Sequence, residues 1–464
     1  MPDSTLLDPL RGVLDARGLR TDDDSLREYG RDWTRVHEPR PSAVVLPADT
    51  AQVQAVVRWA RQQQVALVPS GGRSGLSAGA VAANGEVVLA LDRLNTLQGF
   101  NATERTVRCG AGVLTAQLQA FAGEHGLHYP VDFAASGSSQ LGGNIATNAG
   151  GIKVIRYGMT RDWVAGLQVV TGTGELLDLG RGLVKNNAGY DLRHLMIGSE
   201  GTLGVIVEAT MRLAPAPPQT AVMVLGAADM PAIMHILDAF RDRVALEAFE
   251  FFSELALAKV VAHHDLQRPF DTRSNFYALL EFAAEDDEAQ ARALECFERC
   301  VEAGWVEDGV LSQSLSQARD LWRLREDISE TLSRWTPYKN DISTTVSRVP
   351  ALLVDVEALV EASYPDFEIV WFGHIGDGNV HLNILKPDAM AQDEFQARCA
   401  GVSERVFETV ARHGGSISAE HGIGLLKKPF LAYSRSAAEI ELMRGIKRVF
   451  DPDGILNPGK LIDL

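Results

Sequence analysis

Two glycine-dense segments lie about sixty residues apart in this chain, and both read as tight loops that close over something narrow. The first is Ser70-Gly71-Gly72-Arg73-Ser74-Gly75-Leu76-Ser77-Ala78-Gly79, directly after the apolar run Val65–Pro69. The second is Gly137-Ser138-Ser139-Gln140-Leu141-Gly142-Gly143-Asn144-Ile145-Ala146-Thr147-Asn148-Ala149-Gly150-Gly151. Glycine tolerates positive φ and lets backbone N–H groups come close to an anion. Two such loops in one domain fit a pyrophosphate held between them. A nicotinamide fingerprint would need G-x-G-x-x-G after a strand. Gly110-Ala111-Gly112-Val113-Leu114-Thr115 lacks the third glycine, so a nicotinamide site is not expected.

An α/β rhythm surrounds these loops. Strands are expected at Ala43–Leu46, Val65–Pro69, Val87–Leu91, Thr106–Cys109, Leu167–Val170, Leu176–Leu179 and Val205–Leu213. Helices are expected over 6–20, from Asp49 to Arg61 and over Leu114–Gly126. Pro215-Ala216-Pro217-Pro218 reads as a boundary. Beyond it, strands at Val222–Leu225, Phe276–Glu281 and Glu368–Phe372 alternate with helices over 230–243 and 286–303, the pattern of an α+β sheet domain. At 464 residues the chain is too long for one core. We expect an N-terminal segment (1–40), a cofactor domain (41–215), a substrate and metal domain (216–425) and a helical C-terminal segment (426–464).

A second pair of segments carries the chemistry. Gly373-His374-Ile375-Gly376-Asp377-Gly378-Asn379-Val380-His381-Leu382-Asn383 reads as a hairpin. Closing it on Gly376–Asn379 opposes Ile375 with Val380 and His374 with His381, with Asn383 on the His381 face. Opposed residues place their Cβ atoms about 4.5–5.5 Å apart, a span that suits two imidazoles on one ion. Ser418-Ala419-Glu420-His421-Gly422 adds a carboxylate and a further imidazole. His374, His381 and Glu420 make a two-His, one-carboxylate set with open positions. Zinc suits it, with manganese, cobalt or iron as alternatives. His421, uncoordinated beside the ion, is a candidate base. Arg325 and Ser329 are spaced i, i+4 on an expected helix and so share a face. Lys339 follows ten residues after Ser329.

The net charge of −17 disfavours nucleic acid and means that an anionic substrate needs specific cations. Cys109, Cys296, Cys300 and Cys399 form no CxxC pair, which excludes the usual Cys₄ cluster and suits reduced thiols. No apolar run approaches the roughly 20 residues of a membrane span, and the start lacks a secretory pattern, so a cytoplasmic protein is expected.

The segments PSGGRSGLSAG, LGGNIATNAGG, GYDLRHLMIGSEGTLGVI and ILNPGK, in this order, resemble the flavoproteins of the vanillyl-alcohol oxidase / p-cresol methylhydroxylase type. The resemblance implies a two-subdomain FAD-binding domain plus an α+β cap with an antiparallel sheet. It places FAD on Ser70, Gly71, Gly72, Arg73, Ser74, Gly75, Leu76, Ser136, Gly137, Gly142, Gly143, Asn144, Thr147, Asn148, Gly151, Gly204, Ile206 and Asn457. The first loop has no His or Cys, so FAD is expected without a covalent link. Within that family, the histidine hairpin followed by SAEHGIG resembles the 2-hydroxy acid dehydrogenases, and GHIGDGNVHLN is most similar to the D-2-hydroxyglutarate dehydrogenases. This implies substrate contacts from Arg325, Ser329, Lys339, Asn383 and His421. It also implies an electron acceptor such as an electron-transfer flavoprotein or a quinone, and suggests a homodimer. D-lactate or D-malate oxidation, or a flavin subunit of a larger complex, are the alternatives.

Overall fold

The structure is a computed structural model that describes residues 4–180 and 182–464. The chain forms two compact units. The first comprises Met1–Gly151, Tyr157–Ala216 and Glu420–Leu464, and the second Ile152–Arg156 and Pro217–Ala419.

The first unit holds two main sheets. In one, Ala43–Val45, Val87–Ala90 and Leu67–Ser70 run parallel, and Leu19–Arg20 adds an antiparallel edge. In the other, Leu97–Asn101, Thr106–Gly110, Gly204–Arg212, Val164–Thr171 and Leu176–Leu179 are antiparallel, in that order. Their apolar residues join one core with the helix Thr50–Gln63, through Val45, Leu89, Val107, Val169, Val207 and Val56. That helix starts where expected: Asp49 accepts the Gln52 N–H at 2.9 Å.

The N-terminus differs from expectation. In place of one helix over 6–20, a helix spans only Asp8–Arg11 and the strand Leu19–Arg20 follows. The helix ends at its C-cap Gly12, and at Gly18 the chain packs closely enough that a Cβ would sit 2.8 Å from Leu14 Cβ. The strand then pairs Leu19 with Val45, so sheet pairing overrides local helix propensity. A further helix, Asp23–Tyr29, is capped by Asp22.

The second unit is built on a seven-stranded antiparallel sheet. Its order is Asp308–Leu311, Thr220–Ala227, Phe276–Ala283, Leu246–Ser253, Ile369–Gly373, Asn379–Ile384, Tyr338–Ser343. The helices Glu254–His264 and Leu315–Glu326 cover part of one face, burying Val224, Leu279, Phe252 and Phe372 under Leu257, Val260, Leu321 and Leu324. Three strands fall outside the expected set: Leu246–Ser253, Asp308–Leu311 and Tyr338–Ser343. Two of them carry residues that matter below.

Candidate active site

In the first unit the two glycine loops meet backbone to backbone. A Cβ on Gly71 would lie 3.5 Å from Gly143, and a Cβ on Gly72 would run into the Ser138 carbonyl oxygen. Only glycine allows this approach. Buried hydrogen bonds hold the second loop: Ser139 Oγ lies 2.7 Å from Thr115 Oγ1, which also accepts from Asn144 Nδ2 at 2.7 Å. Between the loops opens a cleft of about 820 Å³, solvent at its mouth included. Of the expected cofactor residues, Gly71, Gly72, Arg73, Ser74, Gly75, Gly142, Gly143, Asn144, Thr147, Gly204 and Ile206 line it. Ser70, Leu76, Ser136, Gly137, Asn148, Gly151 and Asn457 are not among its lining residues. Ser70 is buried at the end of its strand, its hydroxyl without a hydrogen-bond partner in the protein.

Ten lining residues lie outside the named cofactor set, among them Gln140, which stands within the second glycine segment, and Glu200. Glu200 lies within the SEGTLG segment, which was the available signal. Its buried carboxylate accepts the N–H groups of Ile423 at 2.8 Å and Gly424 at 2.7 Å. Desolvation raises its pKa against these hydrogen bonds. Asn457 buttresses the cleft from behind. Its Nδ2 donates to the carbonyls of Gly79 at 2.9 Å and Glu200 at 2.7 Å, both residues of the lining. The tail bearing Asn457 is fixed by the buried Lys447, which donates to the Thr202 and Leu456 carbonyls and pairs with Asp451 at 2.8 Å.

In the second unit the hairpin closes with a different register from the expected one. Phe372, not His374, opposes His381, and the turn occupies Ile375–Gly378. The turn keeps four residues but begins one residue earlier than expected, closed by the His374 carbonyl, which accepts the N–H groups of both Asp377 and Asn379, at 3.2 Å each. The register moves by two residues, the period of side-chain alternation, so the polar face is conserved. The two imidazoles still approach, with ring centroids 5.3 Å apart and planes at 85°.

Each histidine has a carboxylate at Nδ1. His374 Nδ1 lies 2.9 Å from Glu250, and His381 Nδ1 lies 3.6 Å from Asp341, which also accepts from Asn379 Nδ2 at 2.9 Å. Glu250 sits on Leu246–Ser253 and Asp341 on Tyr338–Ser343, two of the unforeseen strands. At His374 the carboxylate within hydrogen-bond reach favours the tautomer that makes Nε2 the coordinating nitrogen, while Asp341 stands beyond that reach from His381. The donor set therefore suits a metal chemically.

Cross-strand pairing places Lys339 opposite Asn383 and Asp341 opposite His381, on one face. Lys339 is exposed, yet surrounding protein desolvates its ammonium enough to lower its pKa. Asn383 is buried, with Nδ2 unpartnered. Arg325 is 5% exposed, and its Nη2 lies 2.7 Å from Glu250 Oε2. The contact is an ion pair set off the ideal hydrogen-bond direction. The guanidinium also covers the Phe372 ring at 4.8 Å. The helix bearing Arg325 ends at Glu326, and a short one begins at Ile328, so Arg325 and Ser329 do not share one continuous helix as expected. Asp327 separates them, its carboxylate drawn back to Arg323 at 3.1 Å. Ser329 is exposed.

The chain returns to the first unit between Ala419 and Glu420. There Glu420 Oε1 lies 3.6 Å from His421 Nε2, both half-buried. All four cysteines are buried and unbridged, and burial raises their thiol pKa values, to about 11 for Cys300 and Cys399. A raised pKa disfavours the reactive thiolate.

Two family models match, an FAD binding domain over residues 41–180 and the C-terminal domain of FAD linked oxidases over 216–461. The chain belongs to the FAD-linked oxidases. This FAD-linked oxidase is 61% identical to a D-2-hydroxyglutarate dehydrogenase of Stutzerimonas stutzeri (strain A1501), over 99% of both chains. It is 37% identical to the mitochondrial D-2-hydroxyglutarate dehydrogenase of Bos taurus, over 95% of this chain and 80% of that one. Among solved structures it resembles p-cresol methylhydroxylase with substrate bound, with a TM-score of 0.78, 17% identity and coverage of 99% of this chain and 96% of that one. A 4-ethylphenol oxidase from Gulosibacter chungangensis gives a TM-score of 0.77 at 18% identity, with the same coverage. The two-part flavoprotein fold expected from the motifs is thus the fold observed. The FAD-linked oxidase is an FAD-binding oxidoreductase, and the glycine cleft is shaped for such a group. Among the described residues no helix is long and apolar enough to cross a membrane.

Proposed function

We propose that this enzyme oxidises D-2-hydroxyglutarate to 2-oxoglutarate. The observation that carries the reading is 61% identity, over nearly the whole of both chains, to a relative of that name. The polar face of the second unit supports it. Lys339 and Arg325 supply two cations to a protein of net charge −17, and the distal carboxylate of a five-carbon dicarboxylate needs such specific cations.

FAD, when bound, supplies the acceptor for the hydride that leaves C2. A divalent cation, zinc by the chemistry of its ligands, would be held by His374, His381 and Glu420 and would supply Lewis acidity at the C2 hydroxyl. Arg325 and Lys339 hold the distal carboxylate, Ser329 adds a hydroxyl contact, and Asn383 donates its amide to the substrate. His421 takes the hydroxyl proton, so proton and hydride leave C2 and its oxygen separately and the 2-oxo acid remains. The electrons pass on to an external carrier such as an electron-transfer flavoprotein or a quinone.

Anaerobic bleaching of the flavin by a panel of D- and L-2-hydroxy acids, with and without EDTA, tests the whole proposal. Rapid, EDTA-sensitive bleaching by D-2-hydroxyglutarate alone is expected. Equal bleaching by D-lactate would shift the assignment to a monocarboxylate.

Lys339→Ala is expected to raise KM for D-2-hydroxyglutarate about 10–100-fold, the value of a charged hydrogen bond of about 1.5–3 kcal/mol, and to leave D-lactate turnover nearly unchanged. The pH dependence follows from the lowered pKa of Lys339. The ammonium is charged only below that pKa. KM for the dicarboxylate should therefore climb on the alkaline side at a lower pH than an ordinary lysine would give, and the Ala variant should lose this limb. A further expectation concerns the flavin link. With no His or Cys in the first loop, acid precipitation should leave the yellow colour in the supernatant.

A further inference from the structure

We propose that Glu250 is a single positioning residue for both halves of substrate binding, setting His374 for the cation and Arg325 for the carboxylate. The proposal rests on the roles given to those two residues above. The Glu250 side chain is 1% exposed. It reaches two groups from different parts of the fold: His374 Nδ1 in the hairpin turn at 2.9 Å, and Arg325 Nη2 near the end of the helix Leu315–Glu326 at 2.7 Å. A carboxylate buried this deeply is costly unless its charge is matched. Arg325 matches the charge, and His374 Nδ1–H occupies further lone-pair capacity.

Each partner gains a fixed orientation. For His374 the carboxylate selects the Nδ1–H tautomer and raises the basicity of Nε2. For Arg325 the ion pair occupies Nη2 on one side while the Phe372 ring backs the guanidinium at 4.8 Å. The fork is thus held from two sides, with its Nε left without a hydrogen-bond partner among the described residues. Without Glu250 the arginine would be a buried, unmatched cation free to turn away. One residue therefore ties cation affinity to substrate affinity. The sheet supports the placement: Phe252 opposes Phe372, which opposes His381, and Glu250 lies two residues from Phe252 on the same face.

The neighbouring Glu247 is the natural control. It is also fully buried on the same strand, and it pairs with Arg156 at 3.5 Å. Removing either carboxylate should cost stability. Only Glu250 should alter binding constants.

The test uses the FAD-loaded full-length protein. Zn²⁺ affinity is measured by competition with a fluorescent chelator, and KM for D-2-hydroxyglutarate by steady-state assay. Glu250→Gln is expected to weaken Zn²⁺ binding about 10–100-fold. It should also raise KM by about tenfold or more, as loss of a charge-fixed arginine contact implies. Glu250→Asp, which keeps the charge with a shorter reach, should recover part of both, and it decides the matter if the Gln variant does not fold. Glu247→Gln should keep both constants near the wild type while lowering the melting temperature. If Glu250→Gln matches Glu247→Gln in both constants, Glu250 is only a structural carboxylate and the proposal is overturned. A wild type that binds no Zn²⁺ would instead overturn the metal reading under Proposed function. The KM comparison alone would then judge Glu250.

Discussion

Replacing His421 with alanine is expected to lower kcat for D-2-hydroxyglutarate about 10²–10⁴-fold, the usual worth of a positioned general base. FAD content and Zn²⁺ content should stay at wild-type levels. The split follows from the proposed roles, in which Glu420 would be a ligand of the cation and His421 its uncoordinated neighbour. Loss of the base leaves the hydroxyl proton to water, so the proton step limits the rate. Exogenous imidazole should then restore part of the rate, and a solvent deuterium isotope effect should appear or grow. His374→Ala should behave differently, losing Zn²⁺ and activity together while keeping FAD. A His421→Ala enzyme within about tenfold of wild type would assign the histidine to orientation rather than proton transfer, since a base is worth more than that.

The two kinds of site residue differ in how visible they were before the fold was known. His374, His381, Glu420 and the glycines stand in short segments whose residue types speak for themselves. Glu250 and Asp341 do not. Leu246-Glu247-Ala248-Phe249-Glu250-Phe251-Phe252-Ser253 is buried along its whole length, so it shows no two-residue alternation, and its two glutamates disguise a central strand. Tyr338–Ser343 is an edge strand of polar residues, Lys-Asn-Asp among them, with no apolar signature. Both carboxylates reach partners that lie from about forty to over a hundred residues away, and local spacing carries no trace of that.

The hairpin shows a milder limit. Gly376-Asp377-Gly378 announced the turn but not its place. The backbone set it one residue earlier, with Gly378 at φ +88 and Thr344 packed against it. The pleat repeats every two residues, so the slip left the chemistry intact. A slip of one would have turned His381 away from Lys339, Asp341 and Phe372. The Arg325–Ser329 pairing failed for another reason. Helical spacing presumes an unbroken helix, and Asp327 interrupts this one.

The cofactor cleft makes the sharpest demand on a single atom. Gly72→Ala is expected to yield protein essentially free of FAD. The added Cβ meets the Ser138 carbonyl oxygen and, at 2.8 Å, Ser139 Cα, so its obstacles are backbone and cannot rotate aside. Nor can the second loop retreat freely, because Ser139 is held by Thr115 and Asn144 by the same hydroxyl. Overpacking of this kind costs about 1–3 kcal/mol, and here the strain falls on the gap that must admit the ligand. Gly75→Ala is the matched comparison. Gly75 also lines the cleft, but a Cβ there meets nothing nearer than Asp32 Oδ2 at 3.9 Å, so flavin should be retained. The ratio of absorbance at 450 and 280 nm, with a thermal shift on adding FAD, reads the difference. The core of this unit is formed by Val45, Leu89, Val169 and their neighbours, away from the loop, so Gly72→Ala should fold while failing to gain stability from FAD. Equal flavin content in the two variants would mean that the loops do not close on FAD as their contact implies.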